Sequence, residues 1–599
     1  MGVDIKKKKR RAKPILCLAV VIILLAGCTQ NDGGKKQKSF DMSAVSSKTG
    51  TQTSDVAAVE PTEAKASGGT AKQVALPDIR RKARNIENKY GIYYEIFVRS
   101  FADSDQDGIG DLKGLTSRLD YLNDNDPATY TDLGVNGIYL MPVNVSPSYH
   151  KYDVVDYYDI DPEYGTMGDF TTFLAEAHKR GIKVLMDLVI NHTSSKNPWF
   201  IESAKFLDNP FRDYYHWAGK DRDSYVLNGT SSWGSQVWHP LNNDFYYGIF
   251  WDQMPDLNYD NPKVREEVKK VAKYWLEKGV DGFRLDAALH IYGAYESSKG
   301  ENPTTKNLQW WSEFGAAAEE VNPDVYLVGE VWDNTIDISP YFKGLDSLFN
   351  FEVGEAVINI VNAGTGKAAG DKGFTPWLEE KYRKYAETEP NFLDAPFLSN
   401  HDENRSMDRF DGELTKAKLA AAIYLTLPGN PYIYYGEEIG MKGSKPDERI
   451  REPFLWSGSQ KPPQTYWESN ENNVDTVPEA AQQKDPSSLL NLYKKLIRLR
   501  QSNEALMKGD FKALDTGGGA VLAYSRSIAD GGSVKESVVV LHNLDTEKQS
   551  VTLGPDVLSG AEIIFESGDK GINKINGSSI VVSPETTVIL HKSETDIKR

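Results

Sequence analysis

Acidic, basic and imidazole side chains stand where short apolar runs end, and their placement is the first chemical signal in this chain. The run Lys183–Leu188 carries Asp187 and leads on to Asn191 and His192. Gly282–Asp286 ends on Asp286 with Arg284 two residues before it, Tyr326–Glu330 ends on Glu330, and Phe392–Leu398 leads to His401 and Asp402. Side chains alternate along a strand, so Arg284 and Asp286 share a face. A guanidinium beside a carboxylate favours the ionised form that a nucleophile needs. Glu330 follows an apolar run, where desolvation raises a carboxyl pKa and suits it to donate a proton. Singly, each of these is more often a helix cap or a buried ion pair than a nucleophile. Together, three carboxylates (Asp286, Glu330, Asp402), one arginine and two histidines around one mouth fit the paired-carboxylate chemistry of glycosidic bond cleavage.

Something must hold these strand ends in a ring. Eight β-branched and aromatic runs recur, at Tyr93–Val98, Gly137–Met141, Lys183–Leu188, Gly282–Asp286, Tyr326–Glu330, Ser347–Phe351, Phe392–Leu398 and Tyr432–Tyr435. Helix-period segments such as Asp169–Arg180 and Pro262–Lys278 separate them. That alternation predicts an α/β fold, a (β/α)8 TIM barrel, whose chemistry sits at the carboxyl ends of the strands. From Thr193 to about Met254 the chain is rich in Trp, Tyr, Asn and Asp without helical period, and reads as a subdomain inserted after the third strand. Beyond Gly509, alternating strands with Gly-rich turns predict a C-terminal β-sandwich. The expected division is signal segment 1–27, flexible tether 28–84, barrel 85–192, insert 193–256, barrel 257–508 and sandwich 509–599.

Composition narrows the chemistry. Among 599 residues, 69 Lys and Arg face 86 Asp and Glu, a net charge of −17. With basic clusters only in the first thirteen residues and at Arg80 to Arg84, the balance argues against nucleic acid as the main partner, because phosphate neutralisation needs clustered cations. The only cysteines are Cys17 and Cys28, so the folded part holds neither disulfide nor thiol chemistry. A basic run from Lys6 to Lys13 precedes 13 apolar or small residues, ILCLAVVIILLAG, too few for a relaxed membrane span of about 20. The segment reads as an export signal. Its end, Leu25-Ala26-Gly27-Cys28, resembles the bacterial lipobox, which implies cleavage before Cys28, lipidation of that residue, and a protein anchored to the membrane outside the cytoplasm. The Ser-, Thr- and Gly-rich stretch that follows reads as a tether.

Immediately after the first strand stands Asp103-Ser104-Asp105-Gln106-Asp107-Gly108-Ile109-Gly110-Asp111, with oxygen donors at alternate positions and a glycine for the turn, the pattern of a calcium loop. A strand precedes it and Gly114 occupies the place of a closing glutamate, so it departs from the helix–loop–helix calcium hand.

The motifs GVNGIYLMP (Gly134–Pro142), DLVINH (Asp187–His192), MPDLN (Met254–Asn258), GFRLDAALH (Gly282–His290), GEVW (Gly329–Trp332), FLSNHD (Phe397–Asp402) and GNPYIYYGEEIGM (Gly429–Met441) together resemble those of glycoside hydrolase family 13, the α-amylase family, from about Ile92 to the C-terminus. The resemblance implies a retaining mechanism. In it Asp286 attacks the anomeric carbon, Glu330 serves as acid and then base, and Asp402 distorts the sugar ring. Arg284, His192 and His401 match positions that hydrogen-bond the reacting sugar, Tyr152 the ring on which it stacks, and Asp187 a supporting carboxylate. Asp153 and Arg405 resemble a pair that closes the cleft in exo-acting glucosidases; an ordinary salt bridge at the cleft wall explains them as well. A similar acidic loop in family members makes Asp103, Asp105, Asp107, Asp111 and the Ile109 carbonyl the expected Ca2+ ligands. Asn191 and the His290 carbonyl match a second calcium site, for which Asp244 is the candidate from the insert. MPDLN lies between the motifs of oligo-1,6-glucosidases and neopullulanases and resembles a group populated largely by α-amylases. The expectation is a monomeric, endo-acting enzyme on starch and maltodextrins. An exo-acting glucosidase or transglycosylase, and a catalytically silent glucan-binding subunit, stand as alternatives.

Overall fold

The computed structural model describes residues 86–219, 229–231, 234–333, 337–459, 461–530, 533–568 and 573–593. The signal segment, the tether, Cys28 and Trp233 of the insert lie outside the described residues. All eight expected strands form: β1 Tyr93–Ile96, β2 Gly137–Leu140, β3 Lys183–Leu188, β4 Gly282–Leu285, β5 Tyr326–Gly329, β6 Ser347–Phe349, β7 Leu393–Ala395 and β8 Tyr432–Tyr434. They lie in the parallel order β7-β6-β5-β4-β3-β2-β1-β8. Asn430 N–H donates to the Asp394 carbonyl (2.7 Å) and Tyr432 N–H to that of Pro396 (2.9 Å), which closes the sheet into a barrel. β1 is shorter than expected because Val98–Phe101 turns helical and carries the chain toward the acidic loop.

The barrel floor is aromatic. Tyr93 stacks on Tyr432 (5.0 Å between ring centroids) and on Tyr326 (5.3 Å), and Phe349 meets Tyr432 edge-on (4.7 Å). This filling demands small residues opposite it. A Cβ at Gly282, the first residue of β4, would lie 2.0 Å from the carbonyl oxygen of Tyr326, so only glycine lets β4 approach β5 this closely. Above the floor the register sets Glu95 beside Tyr139 and Tyr434, and Asp187 beside Arg284. The charged layer is therefore fixed by strand pairing.

The crossover helices follow local rules. In α1, Met167–Lys179, Thr166 and Asp169 form a reciprocal capping box. In α2, Pro262–Glu277, the Asn261 side chain accepts from Lys263 N–H and Pro262 occupies the first turn, where a missing N–H costs nothing. Val264, Val268, Val271, Ala272, Trp275 and Leu276 recur at helical spacing and are buried, each large aliphatic contributing about 1.5–3 kcal/mol. Gly279, with φ +104°, ends the turn. The remaining long helices are α3 Pro303–Val321, α4 Phe351–Ala363, α5 Phe374–Thr388, α6 Leu414–Tyr424 and α7 Leu489–Gln501.

The insert contains the short helix Pro198–Ser203 and a hairpin, Trp238–Leu241 with Asp244–Tyr247. It is tied to the barrel rim by a bridge between His192 and Asp256. The C-terminal region forms two antiparallel sheets, a five-stranded and a three-stranded one, around Val521, Leu541, Ile580 and Leu590. One helical turn, Pro555–Leu558, interrupts the all-β pattern expected there. Arg526 Nη1 donates to the Thr426 carbonyl (2.8 Å), joining this region to the barrel.

Candidate active site

Arg284, at the end of β4, organises the mouth. Its Nη1 donates to both oxygens of Asp187 (3.0 Å each) and to Asp286 Oδ1 (2.5 Å), while Nη2 donates to Glu330 Oε2 (2.8 Å). All four side chains are nearly or fully buried. Ala287, the residue after Asp286, has φ +47°, a left-handed conformation that costs a side-chain-bearing residue about 1–2 kcal/mol. Its N–H donates to Glu330 Oε2 (3.0 Å), and local strain at a functional position fits a site held ready for use.

The expectation that Arg284 simply keeps Asp286 ionised needs correction, because the guanidinium is divided among three carboxylates. Burial pushes Asp286 well above the usual carboxylate range, with Arg284 pulling against it, and burial likewise raises Asp187. Arg284 opposes the effect of burial at Asp187 and at Asp286 without cancelling it.

Across the mouth a second group of opposite character forms. Asp402 Oδ2 lies 3.0 Å from His401 Nε2, and its Oδ1 lies 3.0 Å from Arg451 Nη2. Burial acts to raise Asp402 but is outweighed by His401, Arg451 and Lys445, which hold it well below the usual range. Arg451 also donates through Nε to the His401 carbonyl (2.9 Å). Tyr152 lies parallel to the His401 ring (5.5 Å, 14°) and donates to Asp187 Oδ2 (2.9 Å), as does Tyr139 (2.6 Å). His192 Nε2 meets the Tyr152 carbonyl (3.1 Å), and burial lowers its pKa to about 4, so the ring is neutral near pH 7. The structure thus gathers Asp187, His192, Arg284, Asp286, Glu330, His401, Asp402 and Tyr152 around one mouth.

Asp153 and Arg405 do not form the expected pair. Asp153, 2% exposed, accepts from Ser146 Oγ (2.7 Å) and Ser148 Oγ. Arg405, 1% exposed, donates to the Ile450 and Tyr435 carbonyls (2.8 and 2.7 Å) and lies over the Tyr434 ring. The arginine that reaches Asp402 is Arg451, which sequence reasoning missed along with Glu95 and Tyr139. Strand alternation in β1 and β2 would have turned Glu95 and Tyr139 inward. Arg451 lies 49 residues past Asp402, with no local pattern to mark it.

In the acidic loop, carboxylate oxygens of Asp103, Asp105 and Asp111 lie within 4.8 Å of one another. Backbone N–H groups of Asp105, Gln106 and Gly108 donate to Asp103, and those of Ser104 and Gly114 to Asp111. The loop thereby holds three hard oxygen donors convergent, an arrangement suited to Ca2+. Asp107 falls outside this trio, and its Oδ1 accepts from Ile109 N–H (2.7 Å). At the second expected site Asn191 and His290 do meet, but the Asn191 amide donates directly to the His290 carbonyl (2.7 Å). Asp244 is not beside them: it pairs with Arg212, which stacks 3.9 Å over Trp217. Trp199 and Trp217 stack on Tyr157 and Phe200 within the protein, as packing residues do.

Comparison with known proteins agrees with this geometry. Residues 95–509 match the family model described as alpha amylase, catalytic domain. Alpha-amylase 3 of Dictyoglomus thermophilum is 44% identical over 505 residues, covering 84% of this chain and 93% of that protein. An oligo-1,6-glucosidase of Parageobacillus thermoglucosidasius is 33% identical over 538 residues, covering 78% and 92%. Among solved structures, the alpha-amylase from H. orenii superposes with a TM-score of 0.76 at 46% identity, covering 84% of this chain and all of that one.

Proposed function

The chain belongs to the alpha-amylase family of glycoside hydrolases, and within that family we propose an endo-acting α-amylase that cleaves internal α-1,4-glucosidic bonds of starch and maltodextrins with retention. The observation that carries this reading is the sharing of one guanidinium by Asp286 and Glu330. Two carboxyls held on one guanidinium suit the paired nucleophile and acid of a retaining glycosidase, which work at a separation of about 5–5.5 Å. In this reading Glu330, as the acid, donates a proton to the leaving oxygen while Asp286 attacks, and then takes a proton from the incoming water. Asp402, held ionised by His401 and Arg451, binds ring hydroxyls and favours the flattened transition state. The endo reading is supported by Arg405 and Asp153 bonding to separate partners rather than to each other.

Asp103, Asp105 and Asp111 would hold a calcium ion, which supplies structural charge compensation; Asp107 and the Ile109 carbonyl belong to the same loop. The export-signal pattern and Cys28 support a lipid-anchored enzyme outside the cytoplasm, and we propose that it acts as a monomer. A Cys28→Ser variant then leaves the membrane fraction, and one that stays there rules out lipidation as the anchor. The substrate test is a product time course on an end-blocked maltoheptaoside and on isomaltose. Mid-length products from the blocked chain, with isomaltose untouched, are expected. Glucose released from isomaltose while the blocked chain stays intact would move the assignment to an exo-glucosidase.

A further inference from the structure

His401 is bracketed by two carboxylates, and only one of them belongs to the machinery described so far. Its Nε2 lies 3.0 Å from Asp402 Oδ2, and its Nδ1 lies 2.6 Å from Glu95 Oε1. Glu95 comes from the middle of β1, is 3% exposed in its side chain, and touches His401 from the floor side of the mouth. A neutral imidazole carries one hydrogen and one lone pair. A lone pair directed at either carboxylate at these distances would set two acceptors against each other in a buried site, a repulsive contact. With both carboxylates ionised, both contacts are satisfied only when both ring nitrogens carry hydrogen.

We propose that Glu95 is a positioning residue that keeps His401 an imidazolium throughout the working pH range, so that His401 is a fixed cationic donor beside Asp402. The inference deepens the glycosidase reading and rests on it for its catalytic consequence. Every group facing the ring fits. Tyr152 lies along it and its hydroxyl oxygen is 2.5 Å from Nε2. Because that hydroxyl donates onward to Asp187 (2.9 Å), it accepts from the ring, as an imidazolium requires. Tyr139 meets the ring edge-on at 6.4 Å, and its hydroxyl is likewise committed to Asp187. Arg451, the cation nearest on the other side, is spent on Asp402 Oδ1, Asp447 and the His401 carbonyl. Arg284 reaches the ring only through Asp187. Burial alone would strip the proton from His401, but Asp402 and Glu95 outweigh it and raise its pKa to about 10.

The consequence is a division of labour. With Glu95 present, His401 stays charged and Asp402 stays ionised across neutral pH, and both bind the sugar in fixed protonation states. With a neutral acceptor in place of Glu95, the ring retains one carboxylate partner and titrates inside the working range.

Two measurements test this. First, kcat and KM are followed from pH 5 to 9 for the full chain and for Glu95→Gln, which keeps an acceptor oxygen and removes the charge. The expected result is near-parental kcat at pH 5 and a loss of tenfold or more at pH 8, because the alkaline limb moves down by at least one unit; Glu95→Asp restores part of it. A loss of equal factor at every pH, or an unmoved limb, overturns the proposal. Second, histidine-selective 15N labelling of the parent, with His401→Gln to assign the signal, reads the ring without substrate. A doubly protonated ring at pH 8 is expected. A neutral His401 signal at pH 8 overturns the inference even if Glu95→Gln fails to fold. It does so without touching the glycosidase reading, which stands or falls on hydrolysis by the parent.

Discussion

Replacing Arg284 with methionine keeps most of the side-chain length while removing the guanidinium that bonds Asp187, Asp286 and Glu330. Removing one partner from a buried ion pair costs about 3–5 kcal/mol, because the charge left behind is uncompensated. Protonation relieves part of that cost, each pKa unit being worth about 1.4 kcal/mol. In the parent, burial already raises Asp187 and Asp286 while Arg284 lowers both, so its loss lifts them further. A carboxyl whose folded pKa exceeds its unfolded value binds more protons when folded. Its penalty is therefore absent at low pH and grows as pH rises toward the folded pKa. The variant should be destabilised by about 3–5 kcal/mol near pH 8 and by much less near pH 5. With an unfolding entropy of roughly 2.1 cal/mol/K per residue over about 500 residues, each kcal/mol shifts Tm by about 1 °C. Calorimetry should thus find a Tm gap of about 3–5 °C at pH 8 that narrows toward pH 5. A gap independent of pH, or wider at pH 5, would refute the claim that these carboxylates lean on Arg284.

Three further outcomes follow from the same geometry. Gly282→Ala sets a Cβ 2.0 Å from the Tyr326 carbonyl, a clash that only backbone movement relieves. We expect a loss of about 3 kcal/mol or more, and normal yield and Tm would show that β4 and β5 are less tightly apposed. Gly108→Ala combines φ +94° with a contact of 2.6 Å to the Tyr466 ring. Calcium at 100 times its Kd adds about 2.7 kcal/mol to the parent, and this increment should shrink in the variant; an unchanged calcium-dependent rise in Tm would separate the loop from the ion. Arg451→Met removes one of the cations holding Asp402 low. Since Asp402 acts ionised, the acid limb of kcat/KM should move to higher pH by about one unit, roughly 1.4 kcal/mol, and a limb that stays put would remove Arg451 from the site.

The residues themselves determined a good deal. Eight short β-branched and aromatic runs separated by helix-period segments admit few arrangements other than a parallel barrel, and all eight strands appear within a few residues of where they are expected. Local chemistry also settled the Asn261–Pro262 helix start and the turn of the acidic loop, since capping and turn formation depend on neighbours in the chain. The ring of Asp187, Arg284, Asp286, Glu330, His401 and Asp402 was legible because each member lies at the end of a strand or in the loop that follows one, and a barrel brings strand ends together. What only the tertiary structure decided is who pairs with whom. Asp153 and Arg405 were set apart and Arg451 brought to Asp402 by loop packing across 49 residues, a distance over which no periodicity acts. Glu95 meets His401 across 306 residues, because barrel closure makes β1 the neighbour of β8 and of the loop after β7. The protonation of the mouth also belongs to the fold, since the pKa of a carboxyl depends on burial and on charges that the chain order does not reveal.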